Sequence, residues 1–201
     1  QSNAGSYDVD MVDAFWRSDF AALGITLPLD SILNDSAKTP SFYDYQDLYP
    51  AYRNGLGQVD GKTYGIPLAG ETRFVAYRKD LFDKYGKQPP KTMDEMLSLA
   101  QFFKGKDGVY GISMRGQKGI QFASGLLTVM YQFSDGFFNP KTGASQIASP
   151  QNVQALKYYV DLLKNAPPDV SSYTHEEAMS AFTAGKAAMW FDATSLAPDL
   201  L

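Results

Sequence analysis

Three carboxylate residues lie at the end of a segment whose pattern predicts a β-strand, or in a break between two such segments. Asp13 ends the alternating segment YDVDMVD, Glu71 lies in the interruption LAGET, and Asp192 ends the apolar run AAMWFD. A carboxylate can accept hydrogen bonds from neutral hydroxyl groups, and two carboxylates about 5–10 Å apart can cleave a glycosidic bond. These residues are therefore candidates either for binding a hydroxylated molecule or for hydrolysing one.

Hydrogen-bond donors and aromatic rings accompany these carboxylates. Arg73 follows Glu71 by two positions, and Arg115 and Gln117 lie in the loop MRGQKG. Guanidinium and amide groups can hold an oxygen-rich ligand in a defined orientation. Phe15 and Trp16, just after the first carboxylate, could stack on an apolar ligand face.

Each candidate also has an ordinary structural explanation. Asp13 and Asp192 could cap the helices that follow them, and Trp16 could fill the core. Glu71 and Arg73 could form a surface ion pair of little energetic value. Polar residues at four separate strand ends nevertheless favour a cleft lined by carboxylates, amides and aromatic rings.

The sequence excludes several kinds of catalytic centre. Cysteine is absent, and His175, the only histidine, lies in THEEAM without the second histidine of a HExxH zinc motif. The patterns GxSxG and GxxxxGK[ST] are missing too. We therefore expect no metal and no cofactor, and binding is favoured over turnover.

The elements that would position these side chains alternate between strands and helices. Residue patterns predict strands over 7–13, 62–68, 73–78, 109–114 and 186–192, and helices over 14–24, 79–86, 93–104, 119–133, 151–166 and 175–185, with a helical turn at 49–56. Thr92 with Glu95, and Thr174 with Glu177, fit capping boxes. This order is typical of a largely parallel α/β sheet, which binds ligands beyond the carboxyl ends of its strands.

The bulk composition narrows the class of partner. The 201 residues carry a net charge of −4, and their basic residues are scattered, which argues against nucleic acid. No apolar run approaches the roughly 20 residues of a membrane helix. Residues 1–4, QSNA, are interpreted as an expression-tag remnant.

Two long segments resemble the extracellular solute-binding proteins of sugar ABC importers, family 1, in the maltose/trehalose-binding branch. They are GKTYGIPL followed by FVAYRKDLF, and the run F-x-x-GKAAM-x-x-D. The resemblance covers nearly the whole chain. It implies a periplasmic-binding-protein-like class II α/β fold, present here as a partial two-lobe architecture. The family begins with about one more strand–helix–strand unit and continues well beyond Leu201, so the chain is expected to be a fragment.

The resemblance also implies a division of the chain. Residues 5–70 would form part of the N-lobe and residues 71–201 most of the early C-lobe, with crossovers near 69–73 and 192–196. Family members place a sugar-binding carboxylate where Glu71 stands, and a stacking tryptophan near the place of Ser195. We expect Trp16 to take over that stacking role.

Function, partners and location follow as expectations of the same resemblance. The protein would capture a sugar outside the cytoplasmic membrane, without catalysis, and deliver it to permease subunits. It would sit in the periplasm or on the cell surface, held at the membrane through the permease or a lipid anchor. The 201-residue chain itself is expected to bind weakly, and exposed sheet edges are expected to pair into a dimer. The alternatives are a carboxylate-dependent α/β hydrolase or glycosidase, and a purely structural module.

Overall fold

The computed structural model describes residues 7–194 and 197–198. They form two compact units, one ending at Gly70 and the other beginning at Glu71. Helices and strands occur in both units, so the predicted α/β class is confirmed. None of the helices in these residues has the length and apolarity needed to cross a bilayer.

Residues 7–70, the described part of the first unit, contain three short helices and one β-hairpin. The helices are α1 (Arg17–Ala22), α2 (Asp30–Leu33) and α3 (Pro50–Gly57), with 3₁₀ turns at Ala14–Trp16 and Tyr45–Asp47, and the strands are β1 (Gln58–Val59) and β2 (Lys62–Thr63). Asp60 and Gly61 connect the strands with φ angles of 50° and 75°. Two residues of positive φ make the tight hairpin turn that Asp-Gly predicts.

Two strands predicted for this unit are wrong. Residues 7–13 adopt no strand, and the strand predicted over 62–68 is limited to Lys62–Thr63. Tyr7, Val9 and Met11 expose 78%, 90% and 82% of their surfaces. Alternation of side chains specifies which face would be buried, but a strand also needs a neighbour for its backbone hydrogen bonds. The described residues supply no such neighbour to this segment.

The second unit is built on a small mixed sheet. Strand β3 (Arg73–Tyr77) pairs antiparallel with β4 (Met189–Ala193), in the register Arg73↔Ala193 to Tyr77↔Met189. On the other side, two isolated parallel bridges join Tyr110 to Ala187, just before β4, and Ser113 to Trp190 in β4. The predicted largely parallel sheet is therefore wrong for the β3–β4 pair, because side-chain period does not encode the direction of a neighbouring strand.

Backbone pairing continues past the ends of these two strands. The Thr194 amide donates to the Thr72 carbonyl at 2.9 Å, and the Thr72 amide donates to the Thr194 hydroxyl at 3.2 Å. Thr72 and Thr194 belong to the two segments predicted as crossovers, so these two residues join the described parts of those segments. Ser195, the predicted counterpart of a stacking tryptophan, lies outside the described residues.

The described residues of the second unit also form five helices, whose ends follow local sequence signals. They are α4 (Lys79–Lys84), α5 (Met93–Phe103), α6 (Ile120–Met130), α7 (Pro150–Leu163) and α8 (His175–Thr183), with 3₁₀ turns at Lys106–Gly108 and Val170–Ser172. Thr174 and Glu177 form the predicted capping box of α8. Thr92 caps α5, but Glu95 accepts from the Lys91 amide, one residue earlier than a capping box requires.

The core of the second unit lies between the sheet and helices α4 to α7. Its fully buried side chains include Phe82, Met96, Phe103, Val129, Tyr159, Leu162 and Met189. A second cluster forms around Trp190, which stacks on Phe182 at 6.2 Å and meets the edge of Phe74 at 5.7 Å. The buried residues of β4 thus hold in place the strand that carries Asp192.

Candidate ligand-binding site

Asp192 lies near the carboxyl end of β4 and is completely buried, with 0% of its surface exposed. Its Oδ1 accepts a hydrogen bond from the following amide, that of Ala193, at 2.7 Å. A buried carboxylate is stable only when cations or hydrogen-bond donors surround it. The sequence brings no cation near it locally, so the compensating groups come from distant segments.

Arg115 provides the first of these groups. It follows the 110–113 segment that borders β4, and its Nε donates to Asp192 Oδ1 at 3.0 Å and to Oδ2 at 2.9 Å. Its Nη2 approaches Oδ1 at 2.6 Å, while Nη1 donates to Gln121 Oε1 at 3.1 Å. Multiple bonds of this kind fix the plane of the guanidinium, as a single ammonium group could not.

Arg73 provides the second group from the opposite side of β4. Its Nη1 donates to Asp192 Oδ1 and its Nη2 donates to the Ser124 hydroxyl on α6. Only 15% of the Arg73 side chain and 13% of the Arg115 side chain are exposed. Two guanidinium groups therefore share one carboxylate at the end of the sheet.

The charges of this cluster act on one another. Burial, followed by the neighbouring Arg115 guanidinium, lowers the pKa of Arg73, whereas Asp192 and Glu71 act to raise it. Glu71 is exposed, two residues before Arg73, and it lies in the same unit as the cluster. The site thus combines two cations with one buried and one exposed carboxylate.

Tyr159 on α7 holds the backbone of the loop MRGQKG, residues 114–119, which carries Arg115 and is named the arginine loop. Its hydroxyl donates to the Arg115 carbonyl at 2.6 Å, and burial raises the pKa of this hydroxyl. The ring reaches this position because Gly125 on α6 has no side chain: a Cβ there would lie 2.1 Å from the hydroxyl oxygen. Gly125 and Tyr159 together place Arg115.

Gly116, in the same loop as Arg115, serves packing. A Cβ on Gly116 would lie 2.1 Å from the Val170 carbonyl, so this glycine permits close contact between two backbone segments. The Gly116 and Gln117 amides both donate to the Tyr173 carbonyl, at 3.0 and 2.9 Å. Gln117 is exposed, and its side-chain amide bonds weakly to the Ser172 carbonyl at 3.4 Å.

Two candidates of the first unit, Phe15 and Trp16, form an exposed aromatic pair. Phe15 and Trp16 are 56% and 51% exposed, with ring centroids 5.4 Å apart. The interpretation of Trp16 as a core residue is therefore wrong within this unit. Asp13 takes the N-cap position through its backbone, since its carbonyl accepts from the Trp16 amide at 3.0 Å, but its side chain makes no capping bond.

The structure brings three of the predicted residues of the second unit together. Arg73 and Arg115 both donate to Asp192, and Glu71 acts electrostatically on Arg73. Asp13, Phe15 and Trp16 belong to the other unit, and their role in ligand binding stays a prediction. His175, at the start of α8, is paired weakly with Glu176, and no three metal-binding side chains gather within the described residues.

Three participants were missed by the sequence analysis: Gln121, Ser124 and Tyr159. Gln121 and Ser124 had a detectable signal, because they are polar residues three positions apart on an otherwise apolar helix and so share one face. Tyr159 had no such signal, since in the sequence it is one of several residues on the buried face of α7. Its role depends on a contact across 44 positions of the chain.

Comparison of the sequence with known proteins identifies a family for this chain. The profile of the bacterial extracellular solute-binding proteins matches residues 1–198. A putative binding protein of Brucella abortus (strain 2308) is 32% identical over 193 residues, covering 94% of this chain and 44% of that protein. The chain therefore spans less than half the length of this relative.

Solved structures agree with the fold. An ABC transporter solute-binding protein of Agrobacterium radiobacter K84, in complex with ribitol, is 29% identical with a TM-score of 0.87, covering 98% of this chain and 49% of that one. A solute-binding protein of Agrobacterium vitis S4 with bound D-mannitol is 35% identical with a TM-score of 0.78, covering 96% and 46%. The chain belongs to the bacterial extracellular solute-binding protein family.

Proposed function

We propose that this chain is part of the substrate-binding component of an ABC transporter, which captures a sugar or an acyclic polyol outside the cytoplasmic membrane. The observation that carries the proposal is the pair of oriented guanidinium groups at the end of the sheet in a member of this family. Guanidinium N–H groups hydrogen-bond readily to hydroxyl oxygens. Two solved relatives contain ribitol and mannitol, which extends the expected ligands beyond maltose and trehalose.

Ligand contacts are proposed for each unit separately. In the second unit Arg73 and Arg115 would donate to ligand hydroxyls, Glu71 would accept from them, and Gln117 would add an amide contact. In the first unit Asp13 would accept a further hydroxyl, while Phe15 and Trp16 would cover C–H faces of the ligand. Delivery to permease subunits and attachment at the membrane, through them or through a lipid anchor, belong to the same proposal.

Binding without hydrolysis is the better supported reading. A glycosidase needs one carboxyl group that carries a proton to the leaving oxygen and a second that acts as nucleophile or base. Asp192 is buried and its oxygens accept hydrogen bonds from two guanidiniums and a backbone amide, so it is not accessible to a glycosidic oxygen. This supports a binding protein over a hydrolase that would use Asp192.

Isothermal titration of the intact protein against polyols, monosaccharides and disaccharides tests this function. We expect saturable binding of at least one of them, and recovery of that ligand unchanged after long incubation. Arg115→Ala should abolish binding, whereas Lys84→Ala, which removes a surface ion pair with Asp107, should not. Heat released only with peptides or inorganic phosphate would overturn the assignment, and release of reducing sugar would favour the hydrolase.

A further inference from the structure

The carboxylate of Asp192 in the second unit is not accessible to a ligand, because Asp192 is 0% exposed. Its Oδ1 accepts from Arg73 Nη1, from Arg115 Nε and Nη2, and from the Ala193 amide, and its Oδ2 accepts from Arg115 Nε. Since neither oxygen is exposed, any effect of Asp192 on ligand binding must act through the two arginines.

The balance of charge around this carboxylate is unusual. Two guanidinium groups, 15% and 13% exposed, share one buried anion. Like charges held close together in a poorly solvated site repel each other, and Arg115 already lowers the pKa of Arg73. Without the carboxylate, the pair would present one more positive charge to whatever binds beside it.

We infer that Asp192 is a positioning residue that sets the choice between neutral and anionic ligands without touching either. It orients Arg73 and Arg115 for hydroxyl oxygens and cancels one of their charges. The uncharged polyol or sugar is thereby favoured over the corresponding sugar acid, whose carboxylate would bind strongly to two uncompensated guanidiniums. This inference rests on the proposed function, because it concerns the same ligand.

A set of charge variants in the intact protein tests the inference. The probes are two pairs, D-mannitol with D-mannonate and ribitol with ribonate, which differ in charge at one terminal carbon. The quantity measured by titration calorimetry is the ratio of sugar-acid affinity to polyol affinity. Asp192→Asn removes a negative charge and so raises the net charge of the cluster by one. Arg73→Gln lowers the net charge by one, and the double variant restores the original net charge.

We expect Asp192→Asn to raise this ratio by about tenfold or more, a change that one unit charge a few ångströms away can produce. Arg73→Gln should lower it, and the double variant should return it to within about threefold of the wild type. A merely structural role would weaken both ligands together and leave the ratio unchanged. Asp161→Asn, which breaks a surface pair with Lys164, is the matched control and should not change the ratio.

The outcomes separate the two proposals. A ratio that does not move in opposite directions for Asp192→Asn and Arg73→Gln overturns this inference and leaves the proposed function intact. If Asp192→Asn does not fold, Arg73→Gln and the double variant still decide the direction. A wild type that binds neither polyol nor any sugar overturns the proposed function, and this inference with it.

Discussion

Replacing Gly125 with alanine should disturb the contact that holds the arginine loop. Alanine is normally better than glycine inside a helix by about 1 kcal/mol. Here the new Cβ would lie 2.1 Å from the Tyr159 hydroxyl oxygen and 2.9 Å from the ring carbon that carries it. Both residues are buried, so neither α6 nor α7 can avoid the overlap by moving a side chain into solvent.

The magnitude follows from three contributions. Overpacking a filled core costs about 1–3 kcal/mol. Displacing the Tyr159 hydroxyl also breaks its 2.6 Å bond to the Arg115 carbonyl, which costs about 1 kcal/mol more. After the gain in helix propensity, Gly125→Ala should lower the free energy of unfolding by about 1–3 kcal/mol.

A double-mutant cycle isolates the cause. Tyr159→Phe removes the oxygen that meets the new Cβ, at a cost of about 1–2 kcal/mol for the unpaired carbonyl. In that background Gly125→Ala should cost about 1–2 kcal/mol less than in the wild type, because the closest atom is gone and the hydrogen bond is already lost. Urea denaturation of the wild type and the three variants of the intact protein measures this coupling.

Additive effects, within about 0.5 kcal/mol, would refute the proposed contact between these two residues. Gly55→Ala is the matched control: this glycine also lies in a helix, α3, but a Cβ there meets no atom within 4 Å. We expect that variant to be neutral or slightly stabilised.

Three further predictions concern other parts of the chain. Gly111→Ala should destabilise the protein by several kcal/mol, as measured by urea denaturation, because its Cβ would lie 1.8 Å from the backbone oxygen of Ala100; near-neutral stability would contradict this contact. Hydrogen bonds from Thr174 hold the pKa of Glu177 below its ordinary 4.5, so its contribution to stability is present above that pH and is lost as the pH falls through the folded-state value. Thermal unfolding should therefore show Glu177→Gln destabilised near pH 7 but indistinguishable from wild type near pH 2, and an equal difference at both pH values would refute this. Trp16→Ala should weaken ligand binding by about 1–2 kcal/mol in calorimetry without lowering the melting temperature, since the ring is half exposed, and a large loss of stability would show that it packs as a core residue.

Local sequence signals predicted the helices well because helix ends depend on nearby atoms. Ser149 and Pro150 start α7, and Thr174 with Glu177 starts α8, as their spacing predicts. Each of these signals acts within about four residues of the backbone groups it satisfies. The resemblance to solute-binding proteins, carried by two long segments, likewise needed no coordinates.

The strands were predicted less well, because a strand depends on a partner that the period of side chains does not specify. Residues 7–13 alternate apolar and polar side chains as a strand does, yet they form no strand. Residues 110–113 form only isolated bridges, to Ala187 and to Trp190 of β4. The sequence thus determined the class of fold, the family and the types of residue available for ligand binding. It could not determine strand direction or register.

Only the tertiary structure decided what the strand-end residues do. Asp192 reads in the sequence as a ligand-binding carboxylate or a helix cap, yet it is buried between Arg73, 119 positions away, and Arg115, 77 positions away. No local pattern encodes such contacts, because they arise when β3 and the 110–113 segment settle on opposite edges of β4. Folding of the sheet brings two cations to one carboxylate, and these contacts leave Asp192 buried and bonded to protein groups.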